Sequence, residues 1–307
     1  MKAVLFPGQG SQFVGMGSDF YQKFDIVKKI FDKVDQTLGY SLTKIILEGP
    51  ETELKLTQNT QPAIMTVGVS IFKVLNEKFN FNLNNNKFFA GHSLGEYTAL
   101  VCSGSLTLEK AAYLLHERGK SMQEAVPAGE GSMLAVLGMS LEEVEEEIKL
   151  FSVSGTCEIA NDNSNEQVVV SGKKKIIESF AQNLKKKKKK GIILPVSAPF
   201  HCSLMKKAAD NMDKKIKQTD FFKPNPCIVS NVTAKSEEEV GEIKSLLVDQ
   251  ITSRVRWRES INYMINNKVV DFLEIGPGKV LSGLVKKINK QVKTKSINSL
   301  DDLEKND

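Results

Sequence analysis

The chain has 307 residues, 41% of them hydrophobic and 26% charged, a balance that fits one large folded domain or a large domain carrying a smaller one. No apolar run is long enough to span a bilayer, and the amino terminus "MKAVLFPGQG" turns polar too early for a secretory h-region, so a cytoplasmic protein with no membrane association is expected. The net charge of +5 is small, and its densest source, Lys185 to Lys190, has no interleaved aromatics, which argues against nucleic-acid binding.

In chain order, "KAVLF" (Lys2 to Phe6) reads as a strand that stops at Pro7-Gly8. A helix is predicted over Gln61 to Phe79, with Pro62 in its first turn. "KFFAG" is the next strand, followed at once by a helix from Leu94, and a further helix runs from Thr107 to Ala125. Strands are predicted at Ser132 to Leu137, Glu158 to Ala160, Gln167 to Val170, Ile192 to Pro195, Ile228 to Ser230 and Val269 to Ile275. Alternating strands and helices predict an α/β architecture with a mostly parallel sheet. Between about Pro127 and Pro195 the rhythm changes. With helices at Leu141 to Leu150 and Lys173 to Lys188, the order becomes βαββαβ, a ferredoxin-like signature bracketed by the turns "VPAGEGS" and "PVSAPF". The segment reads as an inserted subdomain, with the lysine run as a solvated helix end suited to the negative pole of the dipole.

Cys102, Cys157, Cys202 and Cys227 are scattered, which predicts free thiols rather than a disulfide framework or a zinc site. Two glycine-rich loops fail as nucleotide motifs on residue type. In "PGQGSQFVGMG" Phe13 stands where a dinucleotide fingerprint needs glycine. In "EIGPGKVLSG" Leu273 and Val280 stand where a phosphate loop needs glycine and a hydroxyl. Tight turning accounts well for the second loop, whereas the first carries Gln9 and Gln12 at a strand end.

The frame Gly91-His92-Ser93-Leu94-Gly95, between a strand and a helix, has the form of a nucleophile elbow. It would expose Ser93 at a helix N-terminus and aim the Leu94 N–H where an oxyanion develops. Of the three histidines, His92 is expected to face away from Ser93, and His116 lies on a helix flank. His201 follows a strand end in "ILPVSAPFHC", where a general base is well placed, although a histidine capping its own loop fits there too. No acidic residue between Ser93 and His201 stands in a recognisable triad context, which points to a Ser-His dyad. Arg118 falls on the stripe Ala111, Leu115, Met122, so its guanidinium projects from an apolar face. It needs an anion: either a fixed carboxylate such as Glu96, or the carboxylate of a substrate.

The motifs "GQGSQ", "GHSLGEY", "ERGKSMQEA", "PFHCSLM" and "GPGKVL" occur in this order. On them the chain resembles, from about Val4 to Leu284, the malonyl-CoA:acyl carrier protein transacylases of the acyltransferase family of fatty-acid and polyketide synthesis. The resemblance implies an α/β-hydrolase-like large domain at 1–126 and 197–307, and a ferredoxin-like subdomain at 127–196. It makes Ser93 the acyl-accepting nucleophile and His201 its base and acid, with the N–H groups of Gln9 and Leu94 as the oxyanion hole. Arg118 would hold the malonyl carboxylate, and the main-chain carbonyl of Gln250 would orient His201. Phe200 resembles a malonyl-selecting residue, and Met122 and Asn161 match pocket positions. The implied substrates are malonyl-CoA and phosphopantetheinylated acyl carrier protein, handled by a monomer with no metal or cofactor. Arg254 and the lysine run depart from the family pattern. A thioesterase or carboxylesterase using the same Ser-His site, a related acyltransferase with a different acyl-CoA preference, and a carrier-binding protein that keeps the fold without the chemistry are the alternatives.

Overall fold

The structure is a computed structural model that describes residues 1–151, 155–196 and 198–304. Ser197, at which the second expected segment of the large domain opens, lies outside the described residues. Among the described residues ten strands form two sheets. Strands β1 (Lys2–Phe6), β2 (Phe88–Gly91), β7 (Ile228–Val229), β8 (Ser236–Glu237), β9 (Asp271–Ile275) and β10 (Lys293–Ile297) make the first, in the order β10-β9-β1-β2-β7-β8. All its pairs are parallel except β7 with β8. Strands β3 (Gly131–Leu137), β4 (Cys157–Ser164), β5 (Gln167–Lys173) and β6 (Lys190–Ile193) make the second, antiparallel throughout, in the order β4-β5-β3-β6.

The parallel sheet is buried on both faces, as parallel sheets must be, so β1 and β2 read as unbroken apolar runs. Side chains alternate between the faces. Val4, Phe6 and Phe89 join the core built by the Thr57–Lys78 and Leu108–Glu124 helices, while Ala3, Leu5, Phe88 and Ala90 pack against the Trp257–Asn266 and Val280–Ile288 helices. Phe6, Phe72 and Phe89 form a trio of edge-on and tilted rings at the centre.

The antiparallel sheet follows the expected βαββαβ order. Leu134, Val136, Val168 and Val170 face its two helices, Leu141–Phe151 and Lys174–Lys186. Met133, Ala135 and Val169 point the other way and belong to the main core. The antiparallel sheet is tied at β4 to the segment that leads into the Trp257–Asn266 helix. Asn161 bridges to Val255, and the fully buried Asp162 accepts from Arg258 Nε at 2.9 Å. Arg254, the departure noted in the sequence, donates to Glu145 at 3.2 Å across the same seam.

Two expectations are corrected. The helix around Pro62 begins at Thr57, so Pro62 is its sixth residue and not part of its first turn. The polar run Thr57 to Gln61 shows no apolar period, yet it is held inside the fold by tertiary packing. Pro62 has no N–H for the Gln58 carbonyl, and His116 Nδ1–H supplies the missing donor at 3.2 Å. The lysine run is also not a simple helix end. The helix stops at Lys186, Lys187 caps it, and Lys190 already belongs to β6, while Lys187 pairs with Glu147 at 2.6 Å. At β10 the strand has no sequence signal, because "KTKSI" is an edge strand with a largely polar surface.

Candidate active site

The turn after β2 carries Ser93 at φ +54°, a left-handed conformation that is uncommon for a non-glycine residue. Two glycines make it possible. A Cβ on Gly91 would lie 1.8 Å from the Gly95 carbonyl carbon, and one on Gly95 would lie 2.2 Å from the Phe6 oxygen. Asn231, after β7, fixes the turn from the side. Its Oδ1 accepts the Ser93 N–H at 2.7 Å, and its Nδ2 donates to the Gly91 carbonyl at 2.7 Å. Leu94 is the N-cap of the Gly95–Cys102 helix, so its N–H has no partner inside the helix. Among the described residues neither the Leu94 nor the Gln9 N–H donates to a chain acceptor. Both are free for a ligand oxygen.

His201 is 4% exposed and likewise left-handed, at φ +57°. Its Nδ1–H donates to the main-chain carbonyl of Gln250 at 2.8 Å, which leaves Nε2 as the acceptor. Nε2 stands 2.8 Å from Ser93 Oγ. Burial, reinforced by the nearby Arg118 charge, pulls the imidazole pKa down to about 3, so the ring rests neutral. A neutral imidazole with its free nitrogen on a serine hydroxyl can take that proton. Where a hydrolase triad would place a carboxylate, a peptide carbonyl does the orienting.

Arg118 is fully buried. Its Nη1 donates to Gln61 Oε1 at 2.8 Å, and its Nη2 donates to Gln250 Oε1 at 2.8 Å and to Ser93 Oγ at 3.2 Å. Its Nε has no partner. The direct Glu96 pair considered from sequence does not form. Glu96, 1% exposed, accepts from the Asn231 N–H at 3.0 Å and from Gln250 Nε2 at 2.8 Å. Burial raises its pKa to about 7, against the opposing pull of those bonds and of Arg118.

These groups open onto a cavity of about 390 Å³ lined by Gln9, Gln61, Ser93, Arg118, Met122, Met133, Asn161, Leu194, Phe200 and His201. Every site residue predicted from the sequence therefore lines this cavity or, for Leu94 and Gln250, is chain-adjacent or hydrogen-bonded to the Ser93–His201 pair. His92 does face away, toward Asn163 at 2.9 Å and the Trp257 ring. Asn231, Gln61 and the side-chain role of Gln250 were missed, since none stands in a pattern that a linear reading can weigh. At the second glycine loop, the start of the Val280–Ile288 helix is filled by the chain's own Glu274, which accepts from the Leu281 and Ser282 N–H groups. An anion-binding helix end is not on offer there. Among the described residues no group of three or more His, Cys, Asp or Glu could hold a metal, and no helix is long and apolar enough to cross a membrane.

Residues 4–307 match the acyl transferase domain family. The chain belongs to this acyltransferase family. It is 44% identical to the malonyl CoA-acyl carrier protein transacylase of Bacillus subtilis strain 168, over 98% of this chain and 95% of that one. The acyl-carrier-protein S-malonyltransferase of Bartonella henselae superposes with a TM-score of 0.95 at 42% identity, covering 99% and 97% of the two chains. A malonyl-transacylase solved in complex with its type II polyketide acyl carrier protein superposes at 0.94 with 38% identity, covering 99% of this chain and 97% of that one. The mixed fold, with one mostly parallel and one antiparallel sheet, is thus shared along the whole length of these acyltransferases.

Proposed function

We propose that this acyltransferase moves a malonyl group from malonyl-CoA to the phosphopantetheine thiol of acyl carrier protein through a malonyl-Ser93 ester. The observation that carries the reading is the placement of a buried, carboxylate-seeking Arg118 at 3.2 Å from a serine that is 2.8 Å from a neutral His201. An esterase for neutral acyl groups has no use for that charge.

Ser93 Oγ attacks the thioester carbon as its proton passes to His201 Nε2. The tetrahedral oxygen is met by the N–H groups of Leu94 and Gln9, a pair in which each donor is worth about a hundredfold or more in rate. Collapse breaks the C–S bond, and the proton on His201 goes to the departing CoA sulfur. The carrier's pantetheine thiol then gives its proton to His201 and attacks the ester carbon, and Ser93 leaves with that proton. The Gln250 carbonyl keeps the imidazole in one tautomer for both halves. Met122, Asn161 and Phe200 shape the acyl chamber, with Phe200 favouring malonyl over bulkier groups. Transfer outruns hydrolysis because the bound pantetheine arm displaces water from the chamber.

On the same reading the protein is a cytoplasmic monomer that needs no metal or other cofactor, since side chains and backbone cover the acid, base and electrostatic tasks. Its architecture is that of an α/β-hydrolase-like domain, 1–126 and 197–307, into which a ferredoxin-like unit, 127–196, is inserted. The test is mass spectrometry after mixing with malonyl-CoA or acetyl-CoA, with and without holo acyl carrier protein. The expected result is a malonyl adduct confined to Ser93 that disappears onto the carrier. Accumulation of free malonate instead would favour a thioesterase, and a Ser93→Ala protein that still takes the label would end the covalent mechanism.

A further inference from the structure

Gln250 does two things at once. Its main-chain carbonyl holds His201, and its side chain lies between Arg118 and Glu96. The orientation of that amide is not free. Nε2 faces three oxygens: Glu96 Oε2 at 2.8 Å, the Ser93 carbonyl at 3.2 Å and Asn231 Oδ1 at 3.4 Å. Oε1 faces the Arg118 guanidinium. A flipped amide would set oxygen against oxygen on one side and N–H against N–H on the other, in a pocket where Gln250 and Glu96 are buried.

We infer that Glu96 is a positioning residue for acyl selection: its carboxylate locks the Gln250 amide, and the amide oxygen in turn aims the Arg118 guanidinium at the acyl chamber. The spacing has a chemical reason. A carboxylate in direct contact with Arg118 would occupy the fork that a malonyl carboxylate needs, and the protein would compete with its own substrate. Set one amide away, Glu96 leaves the guanidinium fork clear, and the Nε–H stays unpartnered. Gln61 anchors the other end at Nη1, so the plane is held by two amide oxygens and no anion. This inference rests on the reading that the acyl group carries a carboxylate.

The experiment compares Ser93 loading rates from malonyl-CoA and acetyl-CoA in Glu96→Met, Gln250→Met, the double variant and Glu96→Gln. Losing a hydrogen bond that aims a charged group is worth on the order of tenfold. E96M and Q250M should each lose roughly tenfold more malonyl than acetyl loading. The double variant should lose no more than the worse single, because both cut one chain of contacts. E96Q keeps an acceptor oxygen in place and should restore most of the malonyl preference. Equal losses for the two acyl groups, additive losses in the double variant, or no rescue by E96Q would each overturn the inference. Should E96M fail to fold, Q250M and E96Q still decide it. A wild-type protein that loads acetyl as readily as malonyl would instead overturn the proposed function.

Discussion

Asn231 holds Ser93 from 138 positions away, taking its N–H at 2.7 Å. The same side chain donates to the Gly91 carbonyl, so a single amide closes both sides of the elbow. Replacing it by alanine leaves buried backbone groups without partners, at about 1–3 kcal/mol each. Asn231→Ala is expected to lower Ser93 acylation by roughly tenfold to a hundredfold, because the reacting oxygen loses its fixed geometry. Rapid-quench mass spectrometry of the malonyl adduct, alongside a melting curve, measures both effects.

Gly91→Ala tests the elbow by space alone. The added methyl has nowhere to go, since backbone lies 1.8 Å from its position. The expected outcome is a protein that fails to fold or melts roughly 10 °C lower, in keeping with a substitution of about 4 kcal/mol or more in a chain of this size. A G91A protein with normal melting and normal loading would mean that the turn is built differently.

Arg118 bears on His201 as well as, in the proposed function, on the acyl group. Its charge adds to burial in holding the imidazole down, to about 3. Arg118→Ala removes that charge, so the pH at which acetyl loading falls away should move upward, toward the ordinary histidine value of about 6.5. In the unaltered protein acetyl loading should hold steady well below pH 6. Malonyl loading by R118A should drop roughly a hundredfold, the cost of a lost bidentate charge pair. Parallel pH profiles for the two acyl donors check all three expectations.

Glu96 gives a stability test with a definite sign. Its carboxyl is raised from 4.5 to about 7 on folding, so between those values the folded state binds more protons than the unfolded one. The stability this group contributes is present below pH 4.5 and is lost as pH rises through 7. The charged and titratable groups facing it are Arg118, Tyr97 and Glu237. The melting temperature of Glu96→Gln minus that of the unaltered protein should therefore be more favourable at pH 8 than at pH 5. A difference independent of pH would show that Glu96 is ionised across the whole range.

The sequence made the central strands and the reacting serine legible for local reasons. "AVLF" and "FFAG" are apolar without interruption because the sheet they enter is covered on both sides, and the elbow needs its glycines at fixed offsets. His201 emerged by elimination among three histidines, and Arg118 emerged because a charge on an apolar stripe is conspicuous. Asn231 and Gln61 stayed invisible because an amide in a polar stretch has no local signature. Their roles exist only once strands and helices far apart in sequence are brought together. Helix ends failed where packing overrode composition, as at Thr57. The edge strand Lys293–Ile297 failed because half-exposed strands lack the apolar run that marks the interior.

Part of the chamber wall and the Ser93–His201 pair are carried by different parts of the molecule. Met133 and Asn161 belong to the antiparallel sheet, while His201, although it follows β6, is fastened to Ser93 and to the Gln250 carbonyl. A substitution at Met133 or Asn161 removes none of those fastenings. Part of the hold can therefore be refitted while the engine beside it keeps its mountings.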